Sequence, residues 1–250
     1  LQLLPVAQHV VLEVLAQIAF GGGGVDSLER LRNVDLERVK FDIDIRGVRD
    51  YEVERHRNVM QVAEDLREEF LVEDVYDEVL ERVIELTNEL TIGDPTEQSN
   101  YMGPVIDSNS YKKIMSYIEI GKEEGRVVAG GTGDDSKGFF VNPTVIADLS
   151  PTDRVMQEEI FGPVLAIQTF RTFDEALTKA NNTPYGLSGG VWTDKGAKIF
   201  RMTQGLRAGV VWANTFNKFD PTSPFGGYKE SGVGREGGLH GLDAYLELEA

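Results

Sequence analysis

The sequence predicts an α/β fold, with an open, mainly parallel sheet flanked by helices. The main observation is that short apolar runs alternate with longer amphipathic segments through the second half of the chain. Strands that alternate with helices of about 10–15 residues are typical of parallel sheets, because each crossover helix returns the chain to the end of the sheet where the previous strand began. Glycine and proline clusters separate most of these segments and indicate turns.

The first part of the chain has weaker patterns. Apolar positions in residues 6–20 indicate an amphipathic helix that leads into a short strand. Four glycines follow at 21–24, and residues 25–32 indicate the start of a helix. A strand, a glycine loop and a helix together can hold a phosphate, and a flexible connection is the alternative. Alternation over residues 39–45 predicts a half-exposed strand that contains Asp42.

The middle of the chain has the clearest helical periodicity. Apolar residues at intervals of three and four predict a helix over residues 74–90, after a brief strand at 70–72. A second helix is predicted over residues 110–124. The residues on one of its faces are Ile114, Tyr117, Ile118 and Gly121.

Strands and helices continue to alternate towards the C terminus. The remaining predicted strands span residues 127–129, 139–146, 165–170, 188–192 and 209–214. The remaining predicted helices span residues 172–181 and 195–203. At the end, residues 242–248 alternate apolar and polar side chains and predict an exposed strand.

Composition excludes several classes of function. The net charge of −17 comes from dispersed acids and disfavours nucleic acid and anionic membranes as partners, since both are polyanions. The sequence contains no cysteine, which excludes disulfides, thiolate metal sites and a cysteine nucleophile. His9, His56 and His240 share no ligand spacing, so no metal site is predicted. No apolar run reaches the roughly 18–20 residues that span a bilayer.

Residues 158–165 are the strongest candidate for a binding site. Two adjacent carboxylates, Glu158 and Glu159, precede Phe161, a Gly-Pro turn and an apolar strand. Polar ligands are commonly bound where a loop meets a strand. From these residues alone, two interpretations stay open. One is a loop with solvated acids, and the other is a site for a polyhydroxyl group such as a ribose, with Phe161 beside it.

Six collinear motifs extend over roughly residues 70–250. They are IGDP at 92–95, MGPVI at 102–106, GFFVNPT at 138–144, QEEIFGPVL at 157–165, NNTPYGLS at 181–188 and PFGGYKESG at 224–232. In this order they resemble the C-terminal half of the aldehyde dehydrogenase superfamily, namely the end of its NAD-binding domain and its catalytic domain.

The resemblance implies a reaction and a cofactor. The family oxidises aldehydes to carboxylic acids with NAD or NADP, and Glu159 would hold the nicotinamide-side ribose hydroxyls. Phe161 would lie along the nicotinamide, and Phe219 resembles the aromatic residue that lines the aldehyde tunnel. The alternative for both phenylalanines is simple packing in the core or in a loop.

The chain departs from the family pattern at the catalytic centre. Residues 58–64 resemble the segment that presents the nucleophilic cysteine, and two alignments place Ala63 or Glu64 at that point. Neither side chain can form the thioester that the family chemistry needs. Asn58 would retain the oxyanion-stabilising amide. Asp42 would stand where the family has its general base, and an exposed strand acid is the alternative.

These departures set the expected organisation. We expect a degenerate remnant of the dinucleotide-binding domain at 1–69, a catalytic domain at 70–235 and an oligomerisation tail at 236–250. Because the adenosine-binding elements are not recognisable, only the nicotinamide edge of a cofactor site is expected here, and the chain alone need not bind NAD or NADP.

Three functions stay open for such a chain. The first is a subunit or half-protein in a homo- or hetero-oligomer that is not catalytic alone. The second is part of an active oxidoreductase that a chain with the N-terminal half completes. The third is an interaction scaffold, a gene remnant or an imperfectly assigned N-terminal sequence. The opening residues lack a signal-peptide pattern, so we expect a cytoplasmic location.

Overall fold

The computed structural model describes residues 68–73, 76–193 and 195–246. Within these residues the chain divides into two units, which meet in sequence between Thr172 and Phe173. The division falls inside the catalytic domain predicted for residues 70–235, whose bounds stay a prediction. The elements predicted at 6–20, 25–32 and 39–45 lie outside the described residues.

The first unit alternates strands and helices as the sequence predicts. Its described helices are α1 (Tyr76–Glu89), α2 (Ser108–Glu124) and α3 (Arg154–Gln157). Its described strands are β1 (Glu68–Val72), β2 (Arg126–Ala129), β3 (Gly133–Asp134), β4 (Phe140–Val141), β5 (Thr144–Ala147) and β6 (Val164–Phe170). Asp107 caps α2, because its carboxylate accepts a hydrogen bond of 2.8 Å from the amide of Ser110.

Four of these strands form one sheet in the order β1-β6-β5-β2. β6 is parallel to both β1 and β5, and β2 pairs with β5 in the antiparallel direction. β3 and β4 form a separate two-stranded antiparallel ribbon. The mainly parallel sheet that the sequence predicts is therefore confirmed for this unit, with an antiparallel strand at one edge.

Helices cover both faces of the sheet, and the central strands β5 and β6 are therefore buried on both sides. On one face, α1 packs through Leu80, Val83 and Leu86 in a cluster with Val145 and Leu165. The other face is covered by α2. Its cluster consists of Ile114, Ile118, Val141, Ile146, Val155, Ile160 and Val164. Neighbouring residues of a strand thus enter opposite clusters, which is the two-residue period of a β-strand.

The second unit repeats the strand-helix alternation on a smaller scale. Its described elements are α4 (Phe173–Ala180), β7 (Ser188–Val191), α5 (Gly196–Gly205) and β8 (Val210–Ala213). β7 and β8 are parallel and paired in register from Ser188 with Val210 to Val191 with Ala213. The following segment contains single 3-10 turns at Lys229–Ser231 and Asp243–Tyr245.

The strand predicted for residues 242–248 is wrong over the part that the structure describes. Leu242 and Tyr245 close a turn, because the amide of Tyr245 donates a hydrogen bond of 2.8 Å to the carbonyl of Leu242. Apolar and polar alternation without a paired neighbour does not hold a chain extended. Among the helices of the described ranges, none is both long enough and apolar enough to cross a membrane.

Gly162, just before β6, lies close to α2 and provides a test of the packing. A Cβ atom at this position would lie 2.5 Å from Cγ1 of Ile114, which is fully buried. We expect Gly162→Ala to lower the free energy of unfolding by about 1–3 kcal/mol, because a filled core resists an added methyl group. Amide hydrogen exchange in β5 and β6 measures this loss within the first unit.

Gly138→Ala is the matched control in the same unit. The atoms nearest to its added methyl group would belong to the ring of Phe140, which is half-buried, whereas Ile114 beside Gly162 is fully buried. We expect the free energy of unfolding to change by less than about 0.5 kcal/mol. Equal losses in the two variants would contradict a tight contact at Gly162.

Candidate functional site

The segment that the sequence singles out joins α3 to β6. Glu158 follows α3 in an extended conformation, with φ −109° and ψ 148°. Phe161 adopts a left-handed backbone with φ 58°, which is uncommon for a residue with a Cβ atom. Gly162 and Pro163 then lead directly into β6. Residues 158–163 are therefore a tight connection in which one non-glycine residue has an unfavourable backbone.

Polar contacts hold the start of α3. The carboxylate of Glu124, at the end of α2, accepts hydrogen bonds from the amides of Arg154 and Val155 at 3.0 and 3.2 Å. The first amides of a helix have no partner within the helix, so an acceptor from a neighbouring helix satisfies them. Gln157 donates its side-chain amide to the carbonyl of Pro151 at 2.7 Å. Both ends of α3 are thus anchored.

Apolar contacts with the core hold the same connection. Val155 and Ile160 are buried in the cluster that contains Ile114 of α2. Gly162 and Pro163 are buried as well. Because the anchors lie on both sides of Phe161, the surrounding packing maintains its left-handed backbone, as a strained residue requires.

Glu158 is bound by neighbouring side chains. Arg154 donates from Nε to Oε1 at 2.8 Å and from Nη2 to Oε2 at 2.9 Å. Tyr117 of α2 donates its hydroxyl to Oε2 at 2.6 Å. Hydrogen bonds from Arg154 and then from Tyr117 stabilise the carboxylate and lower the pKa of Glu158 to about 2. The hydrogen bond to Glu158 in turn raises the pKa of Tyr117.

Glu159 and Phe161 lie on the same connection, on either side of the buried Ile160. Both are half-buried, so each side chain is partly supported by the protein and partly accessible. Glu159 also takes part in interactions within the protein. The structure therefore places the two residues that the family resemblance assigns to a cofactor on one connection, next to Glu158 with its hydrogen bonds to Arg154 and Tyr117.

Phe219 belongs to the second unit and is part of an aromatic cluster. Its ring packs edge-on against Trp212 and Phe225, with ring centroids 5.5 and 5.0 Å apart. The indole nitrogen of Trp212 donates a hydrogen bond of 3.0 Å to the carbonyl of Lys218. Phe219 is still 43% exposed. It thus packs in its loop and keeps an accessible face.

The other predicted site residues lie outside the described residues. These are Asp42, Asn58, Ala63 and Glu64. Their assignment to a base, an oxyanion-stabilising amide and the position of the nucleophile stays a prediction.

Comparison with known proteins settles the family. The profile of the aldehyde dehydrogenase family matches residues 58–250. The chain belongs to the aldehyde dehydrogenase family. The resemblance that the six motifs predict is therefore confirmed, and the described part of this aldehyde dehydrogenase family chain has the α/β architecture expected from it.

Curated relatives match a large part of the chain. A 1-pyrroline-5-carboxylate dehydrogenase from Geobacillus kaustophilus is 52% identical over 170 residues, which are 67% of this chain and 33% of the relative. The 1-pyrroline-5-carboxylate dehydrogenase 2 of Bacillus subtilis is 54% identical over 168 residues, 66% of this chain and 33% of the relative. The matched part of the chain thus spans about a third of the length of these relatives.

Solved structures of the family have the same fold. An aldehyde dehydrogenase from Bacillus cereus is 38% identical, with a TM-score of 0.70 over 72% of this chain and 37% of that chain. A betaine aldehyde dehydrogenase from Staphylococcus aureus, solved in complex with NAD+, is 34% identical, with a TM-score of 0.72 over 77% of this chain and 39% of that chain.

The sequence alone does not identify all the residues that hold the connection between α3 and β6. Arg154 and Glu158 are four residues apart, and this spacing favours an ion pair along a helix. The sequence itself therefore indicates this contact. The sequence predicts Tyr117 on a helix face with Ile114 and Ile118, and nothing local indicates that its hydroxyl reaches Glu158. Glu124 likewise caps α3 across a long sequence separation.

The pKa of Glu158 tests the contacts of its carboxylate. A carboxyl whose pKa is lowered in the fold stabilises the fold above its ordinary pKa of 4.5, and this contribution disappears as the pH falls towards about 2. We expect 13C NMR of the labelled carboxyl, assigned with Glu158→Gln, to give a pKa of about 2. Arg154→Gln removes the main cause and should raise this pKa towards 4.5.

Arg82→Gln is the matched control for this titration. It breaks a different surface ion pair, between Arg82 and Glu85 of α1, and should leave the pKa of Glu158 unchanged. A titration of Glu158 near 4.5 in the unmodified protein would show that the three hydrogen bonds do not persist in solution.

Proposed function

We propose that this chain supplies the nicotinamide end of an NAD or NADP site and does not oxidise aldehydes alone. The observation that carries the proposal is the pair Glu159 and Phe161, half-buried on a connection that is anchored on both sides. A carboxylate suits a ribose diol because it accepts two hydrogen bonds at once. A ring at a constrained backbone position offers a flat apolar surface beside it.

The chemistry of these residues fits the cofactor that the family implies. In the family reaction, bound NAD or NADP accepts the hydride that leaves the aldehyde carbon. In this chain, Glu159 would bind and orient the ribose, and Phe161 would keep one face of the nicotinamide from water. These are binding and orienting roles, and neither residue supplies a nucleophile. Phe219 would line the path of the aldehyde through its accessible face.

The lack of a nucleophile supports the second half of the proposal. The sequence contains no cysteine, and the position of the nucleophile is occupied by Ala63 or Glu64. Alanine has no group that can attack an aldehyde, and a carboxylate adduct is a poor substitute for a thiohemiacetal. An amide from Asn58 would then have no oxyanion to stabilise.

Completion by another chain is the second candidate, because this sequence contains no cysteine that could serve as the nucleophile. The matched part of this chain spans about a third of the 1-pyrroline-5-carboxylate dehydrogenases. A partner with the adenosine-binding half and a cysteine would give an active NAD- or NADP-dependent aldehyde dehydrogenase. We propose 1-pyrroline-5-carboxylate as the first substrate to test, because its dehydrogenases are similar to the chain. The tail at 236–250 is the proposed contact with such a partner or with a second copy.

Ligand binding tests the role of Glu159. We expect nicotinamide mononucleotide to bind the full chain in saturation-transfer NMR, because it contains the ribose and the nicotinamide without the adenosine half. Glu159→Gln should weaken this binding about tenfold or more, because hydrogen bonds to a charged acceptor contribute about 1.5–3 kcal/mol.

Glu97→Gln serves as the control for the loss of one acid. Glu97 lies in an exposed turn and should leave the affinity unchanged. Lack of binding by the unmodified chain, or equal affinity in Glu159→Gln, would refute a nicotinamide site and leave the scaffold function as the better account.

Turnover assays separate the two candidate functions. We expect the isolated chain to form no NADH or NADPH from 1-pyrroline-5-carboxylate or betaine aldehyde, because it lacks the thiol that forms the acyl intermediate. The panel follows the names of the relatives. NADH formation by the isolated chain would overturn the non-catalytic half of the proposal.

The native particle provides the complementary measurement. Native mass spectrometry of the particle from its source determines whether a second chain is present, and the same aldehyde panel determines whether the particle is active. A homo-oligomer without turnover favours the non-catalytic subunit, and an active hetero-oligomer favours completion by another chain.

A further inference from the structure

Tyr117, Arg154 and Glu158 form a connected cluster beside the candidate cofactor residues. We propose that Tyr117 and Arg154 are positioning residues that hold Glu158 and thereby fix the backbone that carries Glu159 and Phe161. This inference rests on the proposed function, because it gives the cluster a purpose only if the segment binds a nicotinamide nucleotide.

We call Tyr117, Arg154 and Glu158 the clamp, because hydrogen bonds and a ring contact connect all three side chains. Both carboxylate oxygens of Glu158 accept hydrogen bonds from Arg154, and one of them also accepts the hydroxyl of Tyr117 at 2.6 Å. The guanidinium of Arg154 lies 5.6 Å from the centre of the Tyr117 ring, within the range of a cation–π contact. Each member therefore contacts both of the others, and α2 is joined to the end of α3.

The position of the clamp makes it relevant to binding. Glu158 is adjacent to Glu159, and the buried Gly162 lies on the other side of Phe161. Only residues 159–161 separate the clamp from the contact of Gly162 with α2, and Ile160 in their centre is buried. A binding segment fixed at both ends loses less conformational freedom when a ligand binds, which favours affinity.

A purely structural role for the cluster makes a different prediction. If Tyr117 and Arg154 only fasten α2 to α3, their loss should reduce the overall stability and leave the affinity of the folded protein unchanged. If they position the segment, their loss should increase the motion of residues 159–161 and weaken ligand binding at unchanged global stability.

Tyr117→Phe in the full chain distinguishes these roles, because it removes one hydroxyl and keeps the ring. We expect amide hydrogen exchange at residues 159–161 to accelerate about threefold or more without ligand. The dissociation constant of nicotinamide mononucleotide should rise about three- to tenfold, a moderate effect because the hydrogen bond is partly exposed. Arg154→Lys keeps the charge but not the two-pronged contact and should give an intermediate effect.

Tyr111→Phe is the matched control, since it makes the same substitution on the same helix. The ring of Tyr111 packs against Phe139, away from Glu158, so exchange at residues 159–161 and nucleotide binding should match those of the unmodified chain. Unchanged exchange and unchanged affinity in Tyr117→Phe would overturn the inference, and so would a fall in global stability with unchanged affinity.

The two proposals fail in different ways. Lack of nucleotide binding by the unmodified chain would refute the proposed function and with it the purpose of the clamp. Binding that Glu159→Gln abolishes and Tyr117→Phe leaves intact would refute only the positioning role. Loss of affinity in both variants supports both proposals.

Discussion

The contact of Gly162 with Ile114 is the constraint on which the candidate site depends. It brings the residues just before β6 directly against α2, with no room for a side chain at Gly162. Ile114 and Tyr117 are three residues apart and therefore lie on neighbouring positions of one helix face. The apolar contact consequently sets the distance at which Tyr117 meets Glu158. α2 thus contributes to the core packing through Ile114 and to the polar cluster through Tyr117 on the same face. A shift of α2 would disturb both.

Periodicity predicts the elements of this fold because burial determines it. α1 and α2 form where apolar residues recur at helical intervals, and β5 forms where successive residues enter the clusters on opposite faces of the sheet. The end of the chain shows the limit of this reasoning. Alternation predicts a strand over residues 242–248, but a strand also needs a paired neighbour, and Asp243–Tyr245 forms a 3-10 turn instead. The local sequence pattern indicates which side chains prefer to be buried. It does not indicate whether a neighbouring strand is available for backbone pairing.

The two adjacent acids explain why the candidate site could be predicted only in part. Locally, Glu158 and Glu159 are equivalent, and only the family resemblance separates them in the sequence. In the structure, the partners of Glu158 come from one residue four positions away and one residue 41 positions away. The first contact follows from helix geometry, whereas the second depends on how α2 docks on the sheet. Tyr117 therefore could not be recognised as a partner before the packing was known.

Packing and chemistry are separable in this family member. The residues that fix the segment at 158–163 are apolar core residues, a glycine, a proline and a surface cluster, and none of the roles proposed in aldehyde oxidation falls on them. Phe161 keeps its left-handed backbone because of these neighbours, so its conformation does not require a nucleophile elsewhere in the chain. The geometry proposed for nicotinamide binding therefore does not depend on a thiol in this chain, since different residues would maintain the two properties. This independence allows a chain without cysteine to be proposed as a binding subunit and not merely as an inactive fold.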